Sequence, residues 1–417
     1  MKVLWFEVTT PSRYKKTGLV VGGWQDALES IVRSCQEIEL SVAFESHDEA
    51  FPVTIEGINY YPIRVELLDK EKTDPHIWEI KAEKLKPRIK NVVDSVCPDI
   101  IHVFGTEWPF GLVAEIADVP VVVHIQGSIV FYNNAWYPPG YGLIDEICLN
   151  WKHPRRIRNA LRGLKQTKSR EVVEKEVWNC VQNYMGRTRW DKAMSAVMHP
   201  NRFYFHVDEA LRGSFIDANK HWELEGKDSL RIISTGCSTF WKGPDLLIKT
   251  AKILTELGID FTWVVAGFMP NRLRQLVEWK ERVSFERCHV QLIGFIEPEN
   301  LSQILIDSTI YVHTAYVENS PNSICEAQML GVPVISTNVG GISSLIQDGI
   351  NGTLVPANDP WQMAYEIISL SNDKDRMVKY SCNSRATAEK RHNPARIKEQ
   401  LLSCYCQLLK QKKRTNA

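Results

Sequence analysis

The sequence has no excess charge of either sign, no regular cysteine spacing and no long apolar run. Its 417 residues carry 50 lysines and arginines against 50 aspartates and glutamates, a balance that argues against nucleic acid as a partner. The ten cysteines are scattered from Cys35 to Cys406 without a CxxC pair, so we expect reduced thiols, a cytoplasmic setting and no zinc site. Near the start, the apolar run before Glu7 has only four residues, too few for a signal-peptide core. No stretch approaches the roughly 18 apolar residues that would indicate a membrane span.

Apolar segments of strand length alternate with helical segments along the whole chain. The first half contains KVLWFEV, IELSVAFE, DIIHVFG and VPVVVHIQG, and the second contains LRIISTG, FTWVVAGF, HVQLIGF, TIYVHTA and VPVISTN. Buried runs separated by helices are typical of a parallel sheet covered on both faces. A polar stretch near 213–229 separates the two series, so the sequence predicts two doubly wound α/β domains. The expected bounds are a first domain at 1–212, a linker at 213–228, a second domain at 229–383 and basic helices at 384–417.

Two glutamates eight residues apart lie in the segment ENSPNSICEAQMLGVPVISTNVGG. The strand TIYVHTA precedes it, with Ser320 predicted as N-cap and Pro321 as the first helical residue. Glu318 is then in the loop after a strand and Glu326 is in the helix, with a helix N-terminus suited to a diphosphate between them. A nucleotide diphosphate sugar offers hydroxyls, diphosphate and hydroxyls in the matching order. The alternative is that Glu318 is a solvated loop residue and Glu326 lies on an exposed helix face.

The same segment resembles the signature of glycosyltransferase family 4, whose members are retaining enzymes with the GT-B fold. The resemblance rests on the two glutamates, the following Gly-Gly turn, DGINGTLVP, STGCSTFWKGPDLLI and VQLIGFI, and is weaker in the first half. It implies two Rossmann-like domains that face a central cleft, with a C-terminal helix that crosses back to the first domain. The first domain would bind the acceptor and the second the donor.

The resemblance also implies roles for individual residues. Glu318 would contact the transferred sugar, and Glu326 the ribose hydroxyls. Lys242 would neutralise the leaving diphosphate, and His124 would lie near the reacting carbon. Further donor contacts are implied at Gly22, Gly23, Gly294, Phe295, Asn319 and Ser320. Members of this family often carry an arginine five residues before the lysine; here that position is Cys237, and Arg187 is a candidate replacement.

The reaction implied is transfer of a sugar, with retention, from a nucleotide diphosphate sugar to a hydroxyl of a glycan or lipid-linked acceptor. UDP is the first choice of nucleotide and GDP the second, and bacterial surface polysaccharide synthesis is the implied setting. The family's reaction needs no protein nucleophile and no metal, so we expect no cofactor. Two alternatives stay open: a nucleotide-sugar epimerase or hydrolase on the same fold, and a non-catalytic subunit that binds sugar nucleotides.

Two further segments carry unusual side chains. The segment at 151–170, WKHPRRIRNALRGLKQTKSR, has eight lysines and arginines and no acidic residue. A basic amphipathic helix there favours an anionic membrane surface, and hence a peripheral location, or an anionic acceptor; a solvated charged face is the alternative. Aromatic residues at 108–111 and 131–142 suit stacking on sugar rings, with ordinary loop packing as the alternative.

Overall fold

A computed structural model describes residues 1–14, 23–46, 51–227 and 229–415. Contacts divide the chain into two compact units. The first comprises Met1–Val130, Leu161–Ala210 and His392–Ala417, and the second comprises Phe131–Ala160 and Leu211–Arg391. Within the part of the chain that is described, no helix is both long enough and apolar enough to span a bilayer.

The first unit contains a mostly parallel sheet of eight strands. Only the pair β3–β4 is antiparallel, and the spatial order is β3-β4-β2-β1-β5-β6-β7-β8. Every residue of β5 and β6 is buried, as the continuous apolar runs in the sequence predict. The strands are β1 (Lys2–Glu7), β2 (Glu39–Glu45), β3 (Val53–Ile55), β4 (Ile58–Ile63), β5 (Ile100–Phe104), β6 (Val121–His124), β7 (Asn183–Gly186) and β8 (Phe203–His206).

The second unit contains a fully parallel sheet of six strands in the order β11-β10-β9-β12-β13-β14. In this doubly wound order the chain direction across the sheet reverses between β9 and β12, which are neighbours. The strands are β9 (Leu230–Thr235), β10 (Phe261–Ala266), β11 (Val290–Gly294), β12 (Ile310–His313), β13 (Val334–Thr337) and β14 (Thr353–Val355).

Helices connect the strands, as parallel pairing requires. They are α1 (Trp24–Arg33), α2 (Asp69–Lys72), α3 (Ile77–Val96), α4 (Ile129–Asn134), α5 (Leu143–Leu149), α6 (Pro154–Cys180), α7 (Arg189–Met198), α8 (Gly213–Ile216), α9 (Pro244–Glu256), α10 (Asn271–Glu281), α11 (Pro298–Asp307), α12 (Asn322–Met329), α13 (Pro360–Ser371), α14 (Lys374–Arg391) and α15 (Pro394–Thr415). Short 3-10 turns occur at Pro109–Glu115, Phe240–Lys242, Glu286–Cys288 and Ile342–Ser344.

The segment expected as a linker packs onto the second unit. Phe215 and Trp222 are buried, and the Trp222 indole N–H donates to the Ser308 carbonyl at 2.9 Å. The Trp222 backbone N–H also donates to the Leu330 carbonyl at 2.8 Å. The polar residues around these two rings give the stretch its linker-like composition, whereas the rings fix its position.

The C-terminal helix α15 belongs to the first unit, as the resemblance implies. Its Tyr405 hydroxyl accepts from the Trp5 indole N–H at 3.0 Å and lies 2.7 Å from Nδ1 of His102. Tyr405 is fully buried, so these polar atoms satisfy one another inside the core. Helix α14, by contrast, stays with the second unit.

Candidate functional site

The strands β9 and β12 of the second unit are adjacent and parallel, and the segments that follow them meet at one edge of the sheet. Ligands of open α/β sheets bind where the strand order reverses, at the carboxyl ends of the strands. The segment after β9 contains Lys242, and the segment after β12 contains Glu318. The topology therefore brings together two residues that lie 76 positions apart in the sequence.

Hydrogen bonds join the two segments around Lys242. The Tyr316 backbone N–H donates to the Trp241 carbonyl at 2.7 Å, and the Thr314 hydroxyl donates to the Lys242 carbonyl at 3.0 Å. Gly243 has φ +71°, and a Cβ there would lie 1.9 Å from the Thr314 carbonyl oxygen. The glycine of the WKG motif thus permits the close approach that positions the Lys242 side chain.

Lys242 and Glu318 form an ion pair through Nζ and Oε1. Glu318 is buried, and Nε2 of His313 lies 3.6 Å from the same carboxylate oxygen. Burial raises the pKa of Glu318, but the Lys242 charge and His313 outweigh it and lower the pKa to about 2. The carboxylate is therefore ionised at neutral pH, and the exposed, solvated Glu318 of the alternative interpretation is wrong.

Glu326 is held by a cation that the sequence analysis did not identify. Nε and Nη2 of Arg212 donate to Oε1 of Glu326 at 3.0 and 2.6 Å, and the Arg212 guanidinium lies 4.9 Å from the Phe215 ring centre. Glu326 is buried, so it does not lie on an exposed helix face. Burial raises the pKa of this carboxyl, and Arg212 opposes that increase. The second carboxylate is thus fixed in one orientation on α12.

Helix α12 begins at Asn322, one residue later than predicted, with Pro321 as its N-cap. The strand before it ends at His313 rather than at Ala315, which lengthens the intervening loop. Asn319 and Ser320 are buried within this loop. The first-turn N–H groups of a helix have no partners within the helix itself, so this N-terminus is suited to an anion.

The Gly-Gly turn after β13 supports the loop that carries Glu318. Gly340 has φ +53°, and a Cβ there would lie 1.8 Å from the Glu318 carbonyl oxygen. That oxygen accepts from the Gly341 N–H at 3.0 Å. The turn therefore fixes the backbone of the carboxylate loop, which is a physical reason for glycine at position 340.

We expect Gly340→Ala to reduce both stability and donor binding, because the new methyl group displaces the Glu318 backbone. The free energy of unfolding should fall by about 3 kcal/mol or more. Gly349→Ala is the matched control, because φ is +71° there but no atom lies within 4 Å of the added Cβ. Its backbone strain should cost about 1 kcal/mol. Urea unfolding and nucleotide affinity check both variants; equal losses would contradict the proposed contact.

Cys237 does not supply a second cation at this edge. It is buried, and burial raises the pKa of its thiol to about 12, so the group is neutral. Within the described part of the second unit, the nitrogen group that lies beside Glu318 in addition to Lys242 is Nε2 of His313. Its place at the end of β12 was the sequence signal for a side chain at this edge.

The predicted residue Gly294 ends β11 at the carboxyl edge of the same sheet, and Phe295 follows it. Gly294 has φ +72° and its carbonyl accepts from the Gly267 N–H at 2.6 Å, which joins the ends of β10 and β11. Phe295 is 43% exposed, so its ring is available for contact. The structure thus positions these two residues on the sheet edge that also carries the charged pairs.

The remaining predicted residues belong to the first unit. Gly23 precedes α1 as its N-cap, whereas Gly22 lies outside the described residues. Arg187 is buried with its guanidinium 4.4 Å from the Trp24 ring centre. Arg187 is thus part of the packing of the first unit, next to the start of α1.

His124 lies at the carboxyl end of a strand of the first unit, as the sequence predicts. It is the last residue of β6 and fully buried, with its ring centre 4.8 Å from that of Trp24 and 5.5 Å from that of His102. Burial holds the pKa of His124 well below its ordinary value, so the imidazole is neutral. Neighbouring rings pack against the side chain, and its place near the reacting carbon stays a prediction.

Polar side chains follow β5 and β6 at that edge. Oε2 of Glu107 and Nε2 of Gln126 are buried atoms without a hydrogen-bond partner among the described residues. Burial raises the pKa of Glu107. Nearby, Glu174 accepts from the Thr106 and Ser128 hydroxyls, and burial together with Glu107 raises the pKa of Glu174 to about 7. The edge of the first unit thus carries a carboxyl and an amide in addition to the predicted His124.

Comparison with known proteins gives the family context of this site. Residues 216–387 match the family model of the glycosyl transferases group 1. Spore coat protein SA of Bacillus subtilis is 26% identical over 363 residues, covering 81% of this chain and 86% of that protein. The putative colanic acid biosynthesis glycosyltransferase WcaL of Escherichia coli is 28% identical over 183 residues, covering 42% of this chain and 44% of that protein.

Solved structures match the chain over nearly its whole length. A sucrose-phosphate synthase from Thermosynechococcus elongatus has a TM-score of 0.72 at 14% identity and covers 98% of both chains. Anabaena Alr3699/HepE in complex with UDP-glucose has a TM-score of 0.64 at 15% identity and covers 97% of this chain and 98% of that one. These likenesses confirm the predicted GT-B fold with its two Rossmann-like units.

Proposed function

We propose that the protein transfers a sugar, with retention, from a nucleotide diphosphate sugar to a hydroxyl acceptor, as the match of residues 216–387 to the family model of the glycosyl transferases group 1 supports. The observation that carries the proposal is the pair of buried carboxylates, each held by a cation, on either side of a helix N-terminus. Lys242 pairs with Glu318 and Arg212 pairs with Glu326. This arrangement supplies acceptors for hydroxyls at two ends and positive charge for a diphosphate between them.

The ribose, the diphosphate and the transferred sugar of the donor each bind to a different group of the site. The Glu326 carboxylate accepts from the ribose hydroxyls, and the Glu318 carboxylate accepts from hydroxyls of the transferred sugar. The diphosphate lies against Lys242 and the start of α12, beside Asn319 and Ser320. When the sugar–phosphate bond breaks, negative charge grows on the leaving oxygen, and Lys242 stabilises it more strongly than it stabilises the bound donor.

The proposed transfer requires no covalent enzyme intermediate and no metal. The bond between the anomeric carbon and the phosphate oxygen breaks while the acceptor oxygen bonds to the same face of that carbon. The acceptor's hydroxyl proton passes to the departing phosphate oxygen. Charge balance at the diphosphate then depends on this chain's own cations and helix N-terminus, with Lys242 as the principal side chain.

UDP is the proposed nucleotide, and GDP is the second candidate. The likeness to a protein that was solved in complex with UDP-glucose supports UDP. The acceptor is proposed to be a glycan or a lipid-linked saccharide, in the synthesis of a surface polysaccharide. Support comes from relatives named for colanic acid and amylovoran biosynthesis.

A nucleotide-release screen tests this proposal. The protein is incubated with a panel of UDP- and GDP-sugars, with and without glycan acceptors, and free nucleotide is measured. We expect release from one donor, faster when an acceptor is present. Turnover that no acceptor stimulates would favour a hydrolase or epimerase instead, and silence with every donor and acceptor would contradict the enzymatic function.

We also propose that the protein works at the cytoplasmic face of a membrane, as a peripheral protein. Three apolar side chains are exposed close to a basic stretch: Ile144 is 75% exposed, Trp151 69% and Ile147 38%. The exposed basic residues around them are Lys152, His153, Arg155, Arg156 and Arg158. Exposed apolar and basic side chains in one segment suit insertion among anionic headgroups. Arg170, at the end of the 151–170 stretch, contacts the protein instead, because its guanidinium lies 4.5 Å from the Trp78 ring centre.

Vesicle binding tests the membrane contact. Reversing the charges of Lys152, Arg155 and Arg158 to glutamate should lower partition onto phosphatidylserine vesicles by about 10²-fold or more, since each basic residue contributes about 1 kcal/mol. Binding of the unmodified protein should fall at high salt. Sedimentation with anionic and with neutral vesicles measures both effects; equal binding to the two vesicle types would contradict the proposal.

A further inference from the structure

The segment Phe131–Ala160 lies in the first half of the sequence but packs onto the second unit. The Tyr132 ring stacks on the Trp241 ring with centres 5.1 Å apart, and the Tyr141 hydroxyl donates to Glu281 at 2.6 Å. Ion pairs join Asp145 to Lys280 and Glu146 to Arg272. These contacts attach α4 to the turn that carries Lys242, and attach Tyr141 and α5 to α10.

A cavity of about 230 Å³ lies between this segment and the turn. Its walls include three aromatic rings, an ion pair and a hydroxyl, contributed by Trp136, Phe240, Trp241, Glu146, Arg272 and Thr239. The rings are only partly buried, so the cavity is open to solvent. The Thr239 hydroxyl is buried without a hydrogen-bond partner among the described residues.

This lining matches the chemistry of a sugar ring. A hexose has apolar C–H faces, which pack on aromatic rings, and an equatorial rim of hydroxyls, which needs donors and acceptors. Glu146 and Arg272 pair with each other and Glu146 also accepts from the Tyr137 hydroxyl, whereas the Thr239 hydroxyl can donate and accept. The volume is below the roughly 300–1,000 Å³ of common ligand pockets, which suits one ring rather than a whole nucleotide sugar.

We propose that this cavity is a subsite for a neutral sugar ring of the glycan acceptor. The inference rests on the proposed transferase function and adds a binding site that the donor residues do not provide. Trp241 precedes Lys242 directly, and its carbonyl accepts from Tyr316 in the segment that leads to Glu318. A sugar in the cavity is therefore held by the same turn that holds the leaving group. The second unit binds the donor and one ring of the acceptor chain.

Saturation-transfer NMR with neutral di- and trisaccharides of glucose, galactose and mannose tests the subsite. We expect at least one of these probes to bind the intact protein, and Trp136→Ala to weaken that binding about tenfold, since stacking on one ring contributes about 0.5–1.5 kcal/mol beyond area burial. Trp361→Ala is the matched control, because Trp361 is 69% exposed on α13 of the same unit. The control should bind the saccharide as the unmodified protein does.

UDP binding, measured on each protein by calorimetry, separates this inference from the proposed function. UDP binding without any saccharide binding would overturn the subsite and leave the donor site standing. Saccharide binding that survives Trp136→Ala would also overturn it. The nearly isosteric Thr239→Val is the second variant: it removes only the hydroxyl, and it should weaken the saccharide about threefold or more, the loss expected for one hydrogen bond.

Discussion

Lys242→Met is expected to lower the rate of sugar transfer by about 10²- to 10³-fold, the usual cost of losing one group that stabilises transition-state charge. Methionine keeps the apolar stem of lysine and removes the ammonium. The leaving diphosphate then lacks its principal side-chain cation, because Cys237 is neutral and buried. Nucleotide release at saturating donor measures this loss as a decrease in kcat.

The same substitution changes the state of Glu318. Burial alone raises the pKa of this carboxyl, and the Lys242 charge is the largest of the influences that lower it. Without Lys242, His313 is the nitrogen group that remains beside the carboxylate among the described residues. We therefore expect the kcat of the variant to depend on pH in a range where that of the unmodified protein is flat, and to increase as Glu318 ionises.

Lys252→Met is the matched control for this prediction. Lys252 lies on α9 of the same unit, its side chain is 43% exposed, and its carboxylate partner Glu256 is 4.0 Å away at the surface. Exposed pairs of this kind contribute little, so kcat should stay within twofold of the unmodified value. Equal losses in both variants, or an unchanged kcat in Lys242→Met, would contradict the role of Lys242.

The sequence predicted the elements of the site that depend on local order. Strand-length apolar runs place Glu318 after a strand, and the helical segment places Glu326 on a helix, because both follow from periodicity over a few residues. Lys242 and the glycines follow from motifs that are contiguous in the chain. The sheet topology then brings these local pieces to one edge.

Other features depend on contacts between distant residues, which no local pattern encodes. Arg212 pairs with Glu326 across 114 residues, and its position before a polar stretch gave no sign of that partner. The direction of the His124 side chain depends on the rings of Trp24 and His102, which pack over it from other elements. The segment Phe131–Ala160 likewise belongs to the second unit because of its contacts, although it lies in the first half of the sequence.

Arg212→Met is expected to cost about 3–5 kcal/mol of unfolding free energy at pH 8, the range for removing one partner of a buried ion pair. Burial raises the pKa of Glu326, and this variant removes the cation that opposes the increase. In the unfolded chain Glu326 has its ordinary pKa. At a pH between that value and the raised pKa of the folded variant, the folded variant keeps a proton on Glu326 that the unfolded chain has lost. Stability of the variant should thus be closest to normal below about pH 4.5 and should fall as pH rises towards the folded pKa.

Donor affinity should follow the opposite trend with pH. Only the ionised Glu326 accepts from both ribose hydroxyls, so UDP affinity of the Arg212→Met protein, relative to the unmodified protein, should increase as pH rises. Dividing the UDP affinity of the variant by that of the unmodified protein at each pH cancels the effect of the titration of UDP itself. Urea unfolding and calorimetric UDP titration between pH 6 and pH 9 measure the two trends. Arg231→Met, on an exposed side chain of β9, is the matched control and should show neither.

The opposed trends separate two roles for Arg212. If the guanidinium holds Glu326 ionised, the UDP affinity of the Arg212→Met protein improves as pH rises while its stability falls. Adding Glu326→Gln to that variant then abolishes both pH dependences, because no titrating carboxyl remains. A guanidinium that contacts the diphosphate directly predicts a loss of UDP affinity that is the same at every pH. The bond lengths of 2.6 and 3.0 Å from the guanidinium to one carboxylate oxygen favour the first role, since they leave Oε2 of Glu326 to accept from the ribose.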